Sequence, residues 1–261
     1  PEHGELYRSF SPEAAAAELA AAGVHAAVLV QAEDSVRDTA YLLDVADRFD
    51  FVAGVVGWVR LDDESAASSA LDRFAAHPAF RGVRHLVHDD PRDDFLDLPA
   101  VRGSLALLAE RGLAFDVSDA WPRHLGPAAR LAADLPDLTV VIDHLGKPPL
   151  ARDDFADWAD ALHEAARQPN TVAKLSGLQV EGRPWTAEAL RPVWETALDA
   201  FGPARLMYGG DWPMTVAFDG YQSTWQVLVG LVRELSADEQ TDVLCGTARR
   251  AYRLGVRGAL C

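Results

Sequence analysis

Two short segments concentrate residue types that can move a proton or hold an oxygen. The first, Val140-Val141-Ile142-Asp143-His144-Leu145-Gly146-Lys147-Pro148, is an apolar run ending in Asp-His before a Gly-Lys-Pro turn. The second, Leu206-Met207-Tyr208-Gly209-Gly210-Asp211-Trp212-Pro213, ends in Gly-Gly-Asp-Trp-Pro. If the first run is a strand, Val140, Ile142 and His144 share one face, and His144 stands at the mouth if that face points inward. Asp143 then orients a neighbouring loop or caps a turn. Either side chain alone commonly serves as a structural hydrogen-bonder. A His and an Asp brought together from two strand ends are a candidate acid-base pair, His144 with Asp211 as general base, or two ligands of a metal ion.

Three further positions could bind a substrate. In Gly82-Val83-Arg84-His85-Leu86-Val87-His88, Arg84 and His88 share one strand face and His85 points the other way. The planar fork of Arg84 suits a carboxylate or a lactone oxygen; an ion pair lining the interior is the other reading. Lys174 sits inside the apolar run Thr171–Leu175. A buried ammonium is costly unless paired, so a carboxylate partner is expected, in a structural pair or facing substrate. Trp212 stands beside Asp211 at the rim. Trp58, Trp121 and Trp185 either wall a pocket or pack in the core. The chain contains no His-x-His, His-Glu-x-x-His, Cys-x-x-Cys or Gly-x-Ser-x-Gly, which argues against a zincin, a zinc ribbon and a serine-elbow hydrolase.

The elements that must position these residues are legible as alternation. Apolar runs of strand length centred on Val28, Val55, Val83, Phe115, Val141, Val172 and Met207 alternate with alanine-rich amphipathic runs. Near-continuous apolar strands alternating with helices predict a parallel sheet covered by helices. The steady unit length, the lack of a Gly-x-Gly-x-x-Gly loop and the polar residues at strand ends favour a (β/α)8 TIM barrel over an open sheet. The strands number seven, where a barrel needs eight. The preferred reading is that the sequence begins after strand one; a partner filling the gap and an incomplete barrel are the alternatives. No composition break divides residues 1–261, so one domain is expected.

Composition bounds the setting. The 261 residues, 49% hydrophobic and 25% charged, are enough for a sizeable core. A net charge of −16 repels phosphate backbones and anionic lipid, so no nucleic-acid or membrane partner is expected. No signal peptide or apolar run of about 18 residues is present, and a cytoplasmic location is expected. Cys245 and Cys261 read as reduced thiols in that compartment, a disulfide between them being the alternative. Oligomeric state is not readable, and a homo-oligomer stays open.

Taken together, several pieces resemble the amidohydrolase-2 family, and within it the sugar-lactone hydrolases related to fuconolactonases and pyrone-dicarboxylate lactonases. They are Leu29-Val30-Gln31-Ala32, Gly54–Val59, Gly82–His85, Asp143–Pro148, Lys174–Leu178, Phe201–Pro213 and Ala251–Leu254. Gly210 departs from the family's usual Ser. The resemblance implies a TIM-barrel hydrolase in which Asp211 activates water, His144 contacts the substrate carbonyl or a metal, and Arg84 binds substrate. Gln31, His88, Lys174 and Trp212 join Arg84 as substrate-binding candidates. The family's His-x-His at the end of strand one is absent, as is the strand that would carry it. The superfamily commonly uses a divalent metal such as zinc, and some lactonases of this branch resemble metal-independent enzymes. His144 and Asp211 offer only two metal ligands. The expected reaction is hydrolysis of a sugar-acid or related lactone. The alternatives are a metal-dependent decarboxylase or amide hydrolase of the same family, and a catalytically impaired barrel that only binds its ligand.

Overall fold

A computed structural model of the chain describes residues 4–150 and 154–255. Helix α1 (Pro12–Ala21) leads into β1 (Ala27–Val30), and helix and strand then alternate through α2 (Val36–Arg48), β2 (Val52–Gly57), α3 (Glu64–Phe74), β3 (Phe80–His85), α4 (Pro99–Glu110), β4 (Ala114–Val117), α5 (Leu125–Asp134), β5 (Val140–Ile142), α6 (Phe155–Ala166), β6 (Thr171–Leu175), α7 (Ala187–Phe201), β7 (Leu206–Tyr208) and α8 (Gly220–Val232). Two short helices, α9 (Ala237–Thr241) and α10 (Thr247–Ala251), are joined by a widened turn at Asp242–Gly246. Local chemistry sets several starts: the side chains of Ser11, Ser35, Asp63 and Thr186 each accept the N–H three residues on, the usual N-cap bond. Among the described residues, no helix is long and apolar enough to cross a membrane.

The seven strands form one parallel sheet in sequential order, β1 to β7, each hydrogen-bonded to the next. Alternate side chains divide between two apolar clusters. Val55, Val83, Phe115, Val140, Ile142, Ala173 and Leu175 pack outward with helix residues such as Leu71, Leu105, Leu131, Trp158 and Val193. Val56, Ala114, Val141 and Met207 form the other cluster, with Val28, Val30 and Val172 against it. A flat sheet could not bring β1, β4 and β7 side chains into one small cluster, so the sheet is curled. It is an open α/β barrel with seven of a TIM barrel's eight strands and no ladder between β7 and β1 among the described residues.

This division corrects the reading of β5. Its inward face carries Val141 and, one step beyond the strand, Asp143; Val140 and Ile142 face the helices. A second correction concerns β3. It starts at Phe80, paired with Val55, and ends at His85, and the chain then turns back as the Asp89 and Asp90 N–H groups donate to the Leu86 carbonyl. His88 therefore lies on that turn and shares no strand face with Arg84.

The chain's last described residues close the bottom of the barrel. The final helix stops at Ala251. Arg253 is left-handed, with φ of 47°, and Tyr252 enters the inner cluster with Leu254 against it. Leu254 lies over Gly54 of β2 and the Arg253 guanidinium over Gly112, two residues before β4. Cys245 is buried and is a disulfide cysteine rather than the free thiol expected; Cys261 lies outside the described residues, as does Pro1.

At the opposite end, Thr39 of α2 is fully buried and ties that helix to the end of β2. Its hydroxyl accepts the Trp58 N–H at 2.7 Å and donates to the Trp58 carbonyl at 3.1 Å. Gly57 makes room, since a Cβ there would stand 2.4 Å from Thr39 Cγ2. Thr39→Val keeps the shape and removes both bonds. Urea denaturation is expected to show a loss of about 1–3 kcal/mol; an unchanged midpoint would exclude this tie as a source of stability.

Candidate active site

The floor of the barrel mouth is ionic. Lys174 of β6 is buried with its Nζ 2.6 Å from Asp116 Oδ2 and 2.7 Å from Asp143 Oδ1. Asp143 receives Arg84 Nη1 on its other oxygen at 3.0 Å, and Asp116 receives the Tyr252 hydroxyl at 2.7 Å. Four charges from β3, β4, β6 and the end of β5 thus cancel inside the barrel. Burial pushes the Asp143 carboxyl up, but Lys174 and Arg84 outweigh it and hold the group down at about 2. Asp116 has Lys174 but no arginine; burial dominates and pushes it up to about 6, with the neighbouring Asp143 charge adding to the rise.

Above this floor the chain after Asp143 turns sharply. His144, Leu145, Gly146 and Lys147 all have φ between 53° and 72°, a left-handed run that costs the non-glycine residues energy. Surrounding contacts hold it. Trp158 Nε1 donates to the Leu145 carbonyl at 2.9 Å, and Lys147 Nζ to the Gly177 carbonyl at 3.0 Å. The turn swings His144 to the rim although β5 points its neighbour Asp143 inward. His144 Nδ1 then meets Ser176 Oγ at 2.9 Å, and its ring lies on Gly177. A Cβ at Gly177 would be 2.3 Å from Nδ1, and its φ of 59° also favours glycine.

Asp211 comes from the end of β7, itself left-handed with φ of 48°. Its Oδ1 lies 3.9 Å from His144 Nε2, with the two side chains 22% and 13% exposed. The two candidate residues therefore face each other at an opening that solvent reaches. Burial pushes the Asp211 carboxyl above the ordinary carboxylate range; His144 and Lys147 pull it back, and Asp119 pushes it further up. If Ser176 donates to Nδ1, Nε2 carries the proton and presents a donor toward the space beside Asp211.

The other expected residues are placed less uniformly. Arg84 is near enough for its charge to reach Asp211, but its Nη1 is held by Asp143 and its Nη2 donates to the Gln31 carbonyl. Gln31 is buried, donating to Asp34 Oδ1 at 2.9 Å and to the Arg84 carbonyl at 3.2 Å. Lys174 has two carboxylate partners where one was expected. His88, on its turn, meets Ser118 Oγ at 3.1 Å. Trp212 packs edge-on against Phe10, ring centres 5.4 Å apart. Sequence reading missed Ser176, Asp116 and Tyr252. Asp116 carried the same signal as Lys174, a charge inside an apolar strand; Ser176 and Tyr252 lie in two of the segments that carry the family resemblance, Lys174–Leu178 and Ala251–Leu254.

The family model described as amidohydrolase, Amidohydro_2, matches residues 1–254. An L-fucono-1,5-lactonase of Burkholderia ambifaria is 37% identical over 255 residues, covering 95% of this chain and 87% of that protein. An L-fucono-1,5-lactonase of Burkholderia multivorans is 35% identical over 267 residues, covering 96% and 88%. The crystal structure of an amidohydrolase from Burkholderia multivorans with bound zinc superposes with a TM-score of 0.86 at 33% identity, covering 97% of this chain and 91% of that one. Here His144 and Asp211 supply two donors, and among the described residues no group of three or more His, Cys, Asp or Glu could hold a metal. Asp143, the nearest other carboxylate in sequence, is committed to Lys174 and Arg84. Catalytic zinc ordinarily takes three protein ligands, so the described residues alone do not complete such a site.

Lys174→Met would leave buried Asp116 without its cation and Asp143 with Arg84 alone. A loss of about 3–5 kcal/mol is expected, read by urea denaturation at pH 7; a loss below about 1 kcal/mol would show that the cluster does not depend on this cation. Gly210 is required by Tyr221: a Cβ at 210 would stand 2.4 Å from Tyr221 Cε2. Gly210→Ser is expected to cost about 1–3 kcal/mol through overpacking, seen as a lowered melting temperature.

Proposed function

The chain belongs to the amidohydrolase family, and from that premise we propose that it opens the ring of a sugar-acid lactone with water activated by Asp211. It is a hydrolase of lactonase type. The observation that carries the mechanism is the placement of His144 Nε2 and Asp211 Oδ1 3.9 Å apart, on the segments that follow β5 and β7. The named activity of the two Burkholderia relatives supports a small sugar lactone as substrate.

In this reading Asp211 takes a proton from water as the water oxygen attacks the lactone carbonyl carbon. A carboxylate raised by burial is a better base than an exposed one. The tetrahedral intermediate places its negative oxygen against His144 Nε2–H, and Ser176 keeps that proton on Nε2 by donating to Nδ1. The ring C–O bond then breaks, and protonated Asp211 returns its proton to the departing alkoxide. The product is an open hydroxy acid, and no group on the protein is changed. The left-handed turn and Gly177 matter because they bring the imidazole beside Asp211. The −16 net charge favours release of the anionic product.

The direct test is hydrolysis of L-fucono-1,5-lactone and a panel of related lactones by the purified protein. Asp211→Asn is expected to lower kcat by roughly 10²–10⁴-fold with the protein still folded. In the wild type, kcat/KM should fall as the pH is lowered through the Asp211 pKa, with the limb above the ordinary value of about 4 for an aspartate. Unchanged turnover by Asp211→Asn would sink this assignment.

A further inference from the structure

Asp119 stands two residues past β4, on a short segment that crosses the barrel mouth from the turn after β3 to the turn after β5. Both ends of this segment are fixed. Ser118 is 2% exposed. Its hydroxyl donates to the His85 carbonyl at 3.2 Å, which leaves it to accept from His88 Nδ1 at 3.1 Å. The Trp121 N–H donates to the Gly146 carbonyl at 2.8 Å, within the left-handed turn that carries His144. Between these anchors Asp119 is itself left-handed, with φ of 42°. A non-glycine residue held in that region costs energy, and such strain gathers at functional sites.

The carboxylate held in this way is unanswered. Among the described residues no hydrogen bond or ion pair reaches it. Its Oδ1 is buried, and Oδ2 is the oxygen left open to solvent. The carboxylates around it are matched: Asp116 and Asp143 by Lys174, and Asp211 by His144. Arg123, four residues on, turns instead to Asp93 and to the His88 and Asp90 carbonyls. Asp119 shares the mouth with Asp211, whose carboxyl its charge pushes up. An ionised carboxylate only accepts, so what it lacks is a donor. Two negative side chains together disfavour an anionic group between them. Among the described residues no group of three or more His, Cys, Asp or Glu could hold a metal ion there. A neutral hydroxyl meets both conditions, and a sugar lactone carries several.

We propose that Asp119 is a specificity-determining residue whose Oδ2 accepts a hydrogen bond from a hydroxyl of the substrate. The assignment rests on the lactonase reading. Because Oδ1 is kept from water, the charge is incompletely hydrated, and a hydroxyl on Oδ2 counts for more than on an exposed carboxylate. The test compares wild type, Asp119→Gly and Asp119→Asn, two replacements that accept a left-handed backbone. Their kcat/KM is measured on L-fucono-1,5-lactone and on δ-valerolactone, whose ring carries no hydroxyl, at a pH above the acid limb set by Asp211. Binding of L-fucose, an uncharged sugar with no ester, is measured by calorimetry.

Asp119→Gly is expected to lower the preference for L-fucono-1,5-lactone over δ-valerolactone by about tenfold or more, the scale of one hydrogen bond to a charged group, and to weaken L-fucose binding similarly. Asp119→Asn keeps an acceptor without the charge and should lower the preference by about threefold or more; it decides the question if the glycine variant does not fold. A merely structural role would reduce turnover of both lactones equally. Equal losses, or an unchanged preference, would overturn the assignment. If the wild type opens no lactone, the lactonase reading fails on its own. L-fucose binding then decides: weakening by the variants supports Asp119 as the acceptor, and unchanged binding, or none by the wild type, overturns it.

Discussion

The mouth of this barrel depends on one buried cation. Lys174 lies between Asp116 and Asp143 at 2.6 and 2.7 Å, in a buried setting where each of the three charges alone would be costly. Their mutual pairing, extended by Arg84 and the Tyr252 hydroxyl, lets polar residues stand on the inward face of strands that are otherwise apolar. The network also fixes geometry. Asp143 is anchored from two directions, so the next residue, His144, leaves the strand from a defined point. The C-terminal segment belongs to the same network, because Tyr252 reaches Asp116 from the bottom of the barrel.

The second constraint is conformational. Four consecutive left-handed residues, 144–147, are unfavourable by themselves and persist because the Trp158 indole and the Lys147 ammonium bind groups on both sides of the turn. Gly177 completes the arrangement by leaving the volume that the imidazole occupies. Asp211, also left-handed, approaches from the other side. Strain placed where the two candidate side chains converge is one way a rigid scaffold holds them beyond the ends of its strands.

Much of the architecture was legible because its causes are local. Parallel strands covered on both faces read as apolar runs, and Ser, Thr or Asp before an alanine-rich run marks a helix start. His144 and Asp211 were legible as polar residues ending such runs. The inward face of β5 was not, since Val140, Val141 and Ile142 are apolar on both faces and offer no alternation to orient them. The end of β3 was misplaced for a related reason. Leu86 and Val87 continue the apolar pattern, while the turn that ends the strand is made by backbone bonds to the Leu86 carbonyl. Arg84 stayed open between a substrate-binding fork and an interior ion pair because its partners, Asp143 and the Gln31 carbonyl, lie 59 and 53 residues away.

The sequence by itself determined the alternating elements, the strand ends that carry chemistry and the need of Lys174 for a counter-charge, because periodicity, capping and desolvation act within a few residues. Only the tertiary structure decided which carboxylates answer Lys174, that His144 reaches Asp211 through a left-handed turn, and that Gly210 accommodates Tyr221. Those outcomes depend on the curl of the sheet and the registers of separate strands. They bring together residues whose spacing along the chain carries no trace of their contact.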